Sequence, residues 1–513
     1  MKNIVIVGGG SAGWLTALYA KKIYQEDNII LVESEEYGIL GAGEGSTPNI
    51  IGFMNFLDIS VEDLIKNCNA TIKNGIKFTN WSEKEDSYFH PFQSINEASN
   101  DYNFYLNSRF IENDTNFSHY CASLNDHEFK DYVFVEKFSN NFQVPYLKEN
   151  NPISMNQLSN ISIHFDANLL AKYLRLIGES RGILRKEGIV SEISEDLEGY
   201  INKIKTNKEE ISCDFVFDCS GFRRLIIGKH YKIKWKSYSK YLPAKKALPF
   251  FLEIDKDIPP YTEAIAMDYG WMWKIPLQNR YGCGYVFDSD FISDEEAKKE
   301  IENYLGFEPI YPRKDKGAFN FEAGCFEEVW NKNCLAVGLS SGFLEPLEAT
   351  SIMQLITVLT KFMSNKQNLT TKNNLVKKRF NDMYLEETQE IVNFLYLHYV
   401  TNKINTSFWK NFTKNNEMPE EIKYILSVCK DKTLFNDFDF YKNKIFSAYS
   451  YHYILIGNKI IDNVILKRNA NFILDNIKKE NYKNILRKQD FLIPKLLTHN
   501  YFIDTIKQWE NND

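Results

Sequence analysis

Met1-Lys-Asn-Ile-Val-Ile-Val-Gly-Gly-Gly-Ser-Ala-Gly-Trp14 opens the chain and decides its first fold. Ile4 to Val7 is a short β-branched run suited to a strand buried on both faces, and it leads straight into Gly8, Gly10 and Gly13, spaced as G-x-G-x-x-G. Gly8 permits a tight turn, Gly10 lets a pyrophosphate approach the backbone, and Gly13 lets the helix expected over 12–24 pack on the sheet. The start of that helix aims unbonded N–H groups at the phosphates. A second apolar strand, 28–32, runs into Glu33, about twenty residues after the glycines, where a carboxylate can accept hydrogen bonds from a ribose. Strand, glycine turn, helix, strand and acid in register point to dinucleotide binding. A glycine-rich turn without a ligand would leave Glu33 unexplained.

With 513 residues and 44% hydrophobic content the chain can bury more than one core, so two or three structural units are expected. The formal net charge of -7 gives no basic footprint for nucleic acid, and no run of like charges reads as an interaction tail. No apolar run is long enough to span a bilayer, and the first residues are a core strand rather than a signal peptide, so no membrane role and a cytoplasmic location are expected. Eight cysteines are scattered without C-x-x-C or zinc-like Cys/His spacing, which points to reduced, structural thiols and no metal.

Further along, Gly38-Ile-Leu-Gly-Ala-Gly-Glu-Gly-Ser-Thr-Pro48 is a second glycine cluster, suited to the other wall of a cofactor site, and Pro48 starts a helix to about residue 57. Residues 63–67 read as helical. Residues 70–81 read as one extended segment whose alternation puts Lys73 and Lys77 on a single face, and two lysines on a strand face read first as solvated. Tyr88-Phe-His-Pro-Phe92 is an aromatic cluster around His90, either core packing or a stacking platform. Residues 101–160 lack periodicity and read as surface excursions. His164-Phe-Asp-Ala167 opens an amphipathic helix to about 180, 188–193 is a strand, and 199–212 is a hairpin. Strand 215–221 then returns to the dinucleotide-type sheet. Residues 230–325 hold short aromatic and β-branched runs between turns and read as an antiparallel sheet. Cys334 to Ile352 runs from strand through a polar loop into a helix starting near Thr350, whose free amides can hold an anion or a flavin carbonyl. Residues 353–513 carry almost wholly helical patterns, for example 374–400 and 462–489, with no fixed-period repeat.

In combination these segments resemble the flavin-dependent halogenases of the tryptophan halogenase family over nearly the whole chain. The glycine fingerprint is shared with many flavoproteins, whereas Trp271-Met-Trp-Lys-Ile-Pro276 fits the family's W-x-W-x-I-P signature. Gly41-Ala-Gly-Glu-Gly45, Ala70-Thr-Ile-Lys73 followed by Trp81, His164-Phe-Asp-Ala167, Asp218-Cys-Ser-Gly221, Gly282-Cys-Gly-Tyr-Val-Phe287 and Phe343-Leu-Glu-Pro-Leu-Glu348 are similar to family segments in family order. The resemblance implies an α/β fold: a Rossmann-like, FAD-binding domain of the flavoprotein monooxygenase type, with an antiparallel substrate-side sheet and a C-terminal helical domain. The expected boundaries are 1–100, 155–228 and 326–365 for a discontinuous FAD domain, 229–325 for the sheet and 366–513 for a helical substrate-binding cap.

It also implies the chemistry. Reduced FAD, delivered by a separate NAD(P)H-dependent flavin reductase, reacts with oxygen, and a halide is oxidised to hypohalous acid. Lys73 matches the family's catalytic lysine, which carries or polarises the oxidant, and Glu348 the catalytic glutamate, which accepts the ring proton or orients the oxidant. Lys77 then becomes the solvated decoy. Cofactor contacts map to Gly8, Gly10, Ser11, Ala12, Gly13, Glu33, Ser34, Leu40, Ala42, Gly45, Val190, Leu339 and Ile352, and the halide-binding amides to Thr350 and Ser351. Trp271 and Trp273, two residues apart on one strand face, would keep an organic substrate away from the flavin. His90 and Phe92 match one half of the family's substrate sandwich. Phe446 lies nearest the position where enzymes acting on free tryptophan carry a sandwiching tryptophan.

Two departures matter. Family members often carry glycine where this chain has Ser351, so bromide and iodide stand beside chloride as candidates. The change at Phe446 keeps an electron-rich indole, phenol or similar ring as substrate but argues against free tryptophan. Two other readings compete: a flavin-dependent aromatic monooxygenase, disfavoured by Lys73, Glu348 and the tryptophan pair, and a non-catalytic flavin-binding protein, disfavoured by the intact lysine and glutamate. A homo-oligomer is a family-level expectation.

Overall fold

A computed structural model describes residues 1–36, 41, 43–92, 134–147, 160–312, 317–400, 405–414, 417–430, 445–446, 448–461, 465 and 490–508. The contacts expected at Leu40 and Ala42, most of the surface excursions of 101–160 and all of the 462–489 helix but residue 465 lie outside the described residues. The chain divides into two compact units, residues 1–70, 165–245 and 320–392, and residues 71–164, 246–319 and 393–513.

In the first unit the strand Asn3–Val7 pairs in parallel with Asn28–Glu33 on one side and Phe215–Asp218 on the other. The six strands run in the order Trp330–Asn331, Cys334–Ala336, Phe215–Asp218, Asn3–Val7, Asn28–Glu33 and Leu184–Glu187, so segments far apart in sequence form one doubly wound sheet. Only the terminal hairpin of Trp330–Asn331 and Cys334–Ala336 is antiparallel. Ile4, Val5 and Ile6 are fully buried, which is why this run is apolar without alternation. The helix Ser11–Ile23 packs against Ala167–Ser180 and Thr350–Met363. Asp166 caps Ala167–Ser180 by accepting from the amides of Asn168 and Leu169. His164 therefore lies outside the helix, on the strand Ser162–Phe165, because the cap two residues later fixes where helical geometry begins.

The second unit is built on a larger sheet, in which Lys246–Leu252, Tyr281–Phe287, Gly270–Pro276, Thr262–Met267, Gly75–Thr79 and Ser87–Pro91 are successive neighbours. All these pairs are antiparallel except Thr262–Met267 with Gly75–Thr79. One face packs Phe250, Ile265, Met272 and Tyr285 against Ala297 and Ile301 of the helix Asp294–Leu305. That register corrects two expectations. Residues 71–92 belong to this second unit rather than to the dinucleotide-type unit, and within them Gly75–Thr79 finds its partner at Thr262–Met267. The extended segment 70–81 is also two strands: Thr71–Lys73 pairs with Ser162–Phe165, while Gly75–Thr79 joins the larger sheet. Asn74 makes the break, its N–H diverted to Pro260 O at 2.7 Å. Lys73 and Lys77 thus lie in different sheets and share no face.

The helix Asn374–Val400 matches its expected span, with residues up to Val392 in the first unit and from Asn393 in the second. Among the described residues after 353 the elements are helices apart from one strand, Leu496–Thr498, which pairs with Gln143–Leu147. Among the described residues no helix is long and apolar enough to cross a membrane, and no group of three metal-ligating side chains could hold an ion.

Candidate active site

The nucleotide-type site is built by backbone. Gly8, at φ +121°, donates its N–H to Val32 O at 2.8 Å, and a Cβ there would sit 2.1 Å from Cys219 O. A Cβ on Gly13 would fall 1.8 Å from Gly8 O, so that glycine is needed for helix and strand to meet. Gly10 differs: a Cβ would meet nothing within 4 Å, and Gly10 caps the helix Ser11–Ile23 without a side-chain bond. The first helical amides thus have no side-chain cap, and the Ser11 hydroxyl is buried without a protein partner. An open cradle, free amides and an orphaned hydroxyl fit the phosphates of FAD.

Glu33 ends its strand beside Gly9, where a Cβ would meet its Oε2 at 1.5 Å, and its Oε1 takes the Arg185 guanidinium at 2.5 Å, with Arg175 at 3.8 Å. The ion pair fixes one oxygen and leaves Oε2 turned toward the glycines. The Gly338–Ser340 turn closes on the same place, since a Cβ on Gly338 would lie 3.1 Å from the Ala12 methyl and 3.4 Å from Leu355. Leu339 is in this turn, and Ile352 lies in the first turn of Thr350–Met363. Ser34, Gly45 and Val190 fall at the end of Asn28–Glu33, on Glu44–Gly45 and at the head of Val190–Glu195. Asp218 acts structurally. Its carboxylate accepts from the Ser220 hydroxyl and amide and from the amides of Ile226 and Ile227.

Thr350 and Ser351 begin the helix Thr350–Met363, and its cap residue, Ala349, has left-handed backbone (φ 55°, ψ 36°) and no capping side chain. A non-glycine residue held there stores strain of about 1 kcal/mol or more and leaves the helix amides uncapped. Glu348, immediately before it, is 2% exposed, in a turn closed by the Ala349 N–H to Pro346 O at 3.0 Å. Cofactor, halide and glutamate positions all fall in the first unit. Glu44, on the strand Glu44–Gly45, was not singled out by sequence: burial, and secondarily the Asp166 charge, push its carboxyl up to about 7.

Lys73 and the aromatic residues fall in the second unit. Lys73 is 0% exposed, and its Nζ sits 5.1 Å from the centre of the Phe92 ring. Lys77 is half-buried over Tyr261 instead, at 5.7 Å. Two histidines flank the Lys73 strand. Thr71 donates its hydroxyl to Pro276 O at 2.7 Å, so at the 3.0 Å Thr71–His164 contact the imidazole Nδ1 must donate. His164 Nε2 then accepts from the Thr262 hydroxyl at 2.9 Å. Burial first, then the charges of Lys73 and His499, hold the His164 imidazole well below its usual range.

His90 is buried, its ring centre 5.8 Å from Phe394 and 6.2 Å from Tyr453. Phe446 stacks on Phe394 at 3.8 Å, so Phe394 is a ring neighbour of both His90 and Phe446. Sequence reading missed Phe394 because it is one apolar residue among many in a long helix. Trp271 and Trp273 do share a face, with ring centres 6.3 Å apart. Gly284 makes room for this, since a Cβ there would lie 2.1 Å from the Trp273 ring.

Comparison with known proteins gives one family. The tryptophan halogenase family pattern matches residues 3–471. The chain is 31% identical to a tryptophan 6-halogenase of Streptomyces toxytricini, covering 90% of each chain, and 30% identical to a tryptophan 7-halogenase of Lentzea aerocolonigenes over 80% of this chain and 78% of that one. Its structure is similar to a flavin-dependent halogenase from Xanthomonas campestris, with a TM-score of 0.83 and 26% identity over 98% of both chains.

Proposed function

This chain belongs to the tryptophan halogenase family and is a flavin-dependent halogenase, and from that premise we propose that Lys73 hands an oxidised halogen to an electron-rich aromatic ring. The complete burial of Lys73 with its ammonium over Phe92 carries the reading, because a fully buried lysine is rare and a cation enclosed beside an aromatic ring is a candidate functional group. FAD would be held by Gly8, Gly10, Ser11, Ala12, Gly13, Glu33, Ser34, Gly45, Val190, Leu339 and Ile352. When bound in reduced form it supplies, with oxygen, the oxidising power that turns halide into hypohalous acid. Reduced flavin comes from a separate NAD(P)H-dependent reductase.

The uncapped amides of Thr350 and Ser351 hold the halide, and the Ser351 hydroxyl sets its size, with bromide and iodide accepted beside chloride. Lys73 donates a proton to the oxygen of hypohalous acid as the O–halogen bond breaks, and that oxygen leaves as water. The halogen bonds to a ring carbon, and the proton of that carbon passes to the Glu348 carboxylate. Trp271 and Trp273 wall the organic substrate off from the flavin and suppress hydroxylation. His90, Phe92 and Phe394 receive an indole, phenol or related ring. Phe446, stacked on Phe394, presents a benzene ring where an enzyme for free tryptophan has an indole, and a substrate other than free tryptophan follows.

The test supplies FAD, a reductase, NADH, bromide and an electron-rich indole to the parent and to Lys73→Ala. The variant is expected to oxidise reduced flavin at the parent rate while product falls below detection. Halogenation at the parent rate would remove Lys73 from the mechanism.

A further inference from the structure

The strand Thr71–Lys73 is three residues long and is paired along one edge only, to Ser162–Phe165. On its other edge the amide of Ile72 is buried, and a buried amide left without an acceptor is strongly unfavourable. Among the described residues no strand supplies one. The acceptor is Nε2 of His499, at 2.9 Å and 427 residues away in sequence. Since Nε2 accepts, the ring proton is on Nδ1, which donates to Ile258 O at 3.0 Å. We propose that His499 is a positioning residue for Lys73, its neutral imidazole standing in for a missing neighbour strand and fixing the backbone from which the ammonium reaches. The inference rests on the role given to Lys73 above.

The surroundings of His499 hold the imidazole in place. Its own N–H bonds Phe142 O at 2.8 Å, the next residue, Asn500, accepts from the Ile258 N–H at 3.0 Å and donates to Lys256 O at 2.6 Å, and the preceding strand Leu496–Thr498 pairs with Gln143–Leu147. On the far side of Lys73, the Asn74 N–H bonds Pro260 O at 2.7 Å and its side-chain amide donates to Ser139 Oγ at 3.0 Å and Gln143 O at 3.2 Å. Both neighbours of the lysine are thus tied to the 258–260 segment, one through an imidazole. Phe92 is fixed by the same frame, its N–H bonding Asn74 O at 2.8 Å. Ring and ammonium therefore share one anchor. The ring must be uncharged for this, because a protonated imidazole has no acceptor for Ile72. Burial supplies that condition by holding the His499 pKa down to about 4, despite the opposing hydrogen bond to Ile258 O.

Two amide side chains separate the two bonds. Glutamine carries its terminal atoms at the depth of imidazole Nε2 and can accept from Ile72, whereas asparagine ends at the depth of Nδ1 and keeps only the bond to Ile258. His499→Gln and His499→Asn are compared for flavin oxidation rate, halogenated product per flavin oxidised, hypohalous acid captured by a thioether in solution, and melting temperature. The glutamine variant is expected to keep at least about half of the parent coupling. The asparagine variant is expected to lose about tenfold, with a matching rise in captured oxidant and an unchanged flavin oxidation rate. Equal coupling in both variants overturns the proposal, as does a loss in the asparagine variant in which flavin oxidation falls by the same factor. Lys73→Ala is run alongside. If that variant still halogenates, the reading of Lys73 itself has failed; if it is inactive while His499→Asn stays coupled, only the positioning role has.

Discussion

The cradle of Gly8 to Gly13 and the strand of Lys73 solve the same problem, the placing of a functional group, by opposite means. In the cradle the backbone does the placing and side chains are kept out: three glycines, an uncapped helix and a strand that ends where it is needed, all within 33 residues. At the lysine the backbone alone is insufficient, and side chains from residues 74, 164 and 499 hold a strand too short to hold itself. A site made of backbone fails through added atoms. A site made of side chains fails through lost ones.

Substitution at the glycines breaks the first half of that contrast hardest. Gly13→Ala forces a methyl to within 1.8 Å of Gly8 O and is expected to cost several kcal/mol, on the order of 3, read as a large drop in melting temperature and loss of retained flavin. Gly10→Ala meets no protein atom, so stability should change by no more than the ordinary glycine effect of about 1 kcal/mol while flavin affinity falls. If both variants melt alike, the assignment of Gly10 to ligand and Gly13 to packing is wrong.

The second half is sharpened by acid. His499 has a folded pKa lowered from 6.5 to about 4, so the unfolded chain takes up a proton that the folded chain refuses. Stability is then whole above about pH 6.5 and declines as pH falls toward 4, by about 3 kcal/mol for this one group, with His164 adding in the same direction. Urea midpoints measured from pH 7 down to 4.5 should show this decline, and His499→Gln should flatten it by the His499 share. A parallel curve in the variant would mean that the histidine is not kept neutral.

The smallest effect is expected at Lys77. Half-buried over Tyr261 and in a different sheet from Lys73, it should tolerate Lys77→Ala with stability altered by no more than about 1 kcal/mol and product formation within about twofold. A loss comparable to that of Lys73→Ala would show that the two lysines act together.

The same contrast explains what could be read from residues alone. The dinucleotide-type strands, the first helix and the helix Asn374–Val400 are written in short-range patterns, and each occupies nearly the expected span, whereas the helix expected from His164 begins only after its cap at Asp166. Alternation around Lys73 misled, because nothing between residues 70 and 81 reveals that the Asn74 amide is claimed by Pro260 O. Phe394 carries no mark of its own in a helix with apolar neighbours, and only its stacking on Phe446 and nearness to His90 single it out. His499 was invisible for the same reason, since its partner is 427 positions away and a single histidine before an amphipathic helix carries no motif. Lys73 and Glu348 are singled out by resemblance to a family, not by periodicity.

The long reach from Ile72 to His499 also orders events during synthesis. A ribosome releases the glycine cradle and its partner strand Phe215–Asp218 hundreds of residues before it makes the imidazole that secures the lysine strand. The ammonium that would activate a corrosive oxidant is consequently among the last parts to be locked down. A nascent chain can assemble its nucleotide pocket well before it has a firmly seated outlet for the oxidant.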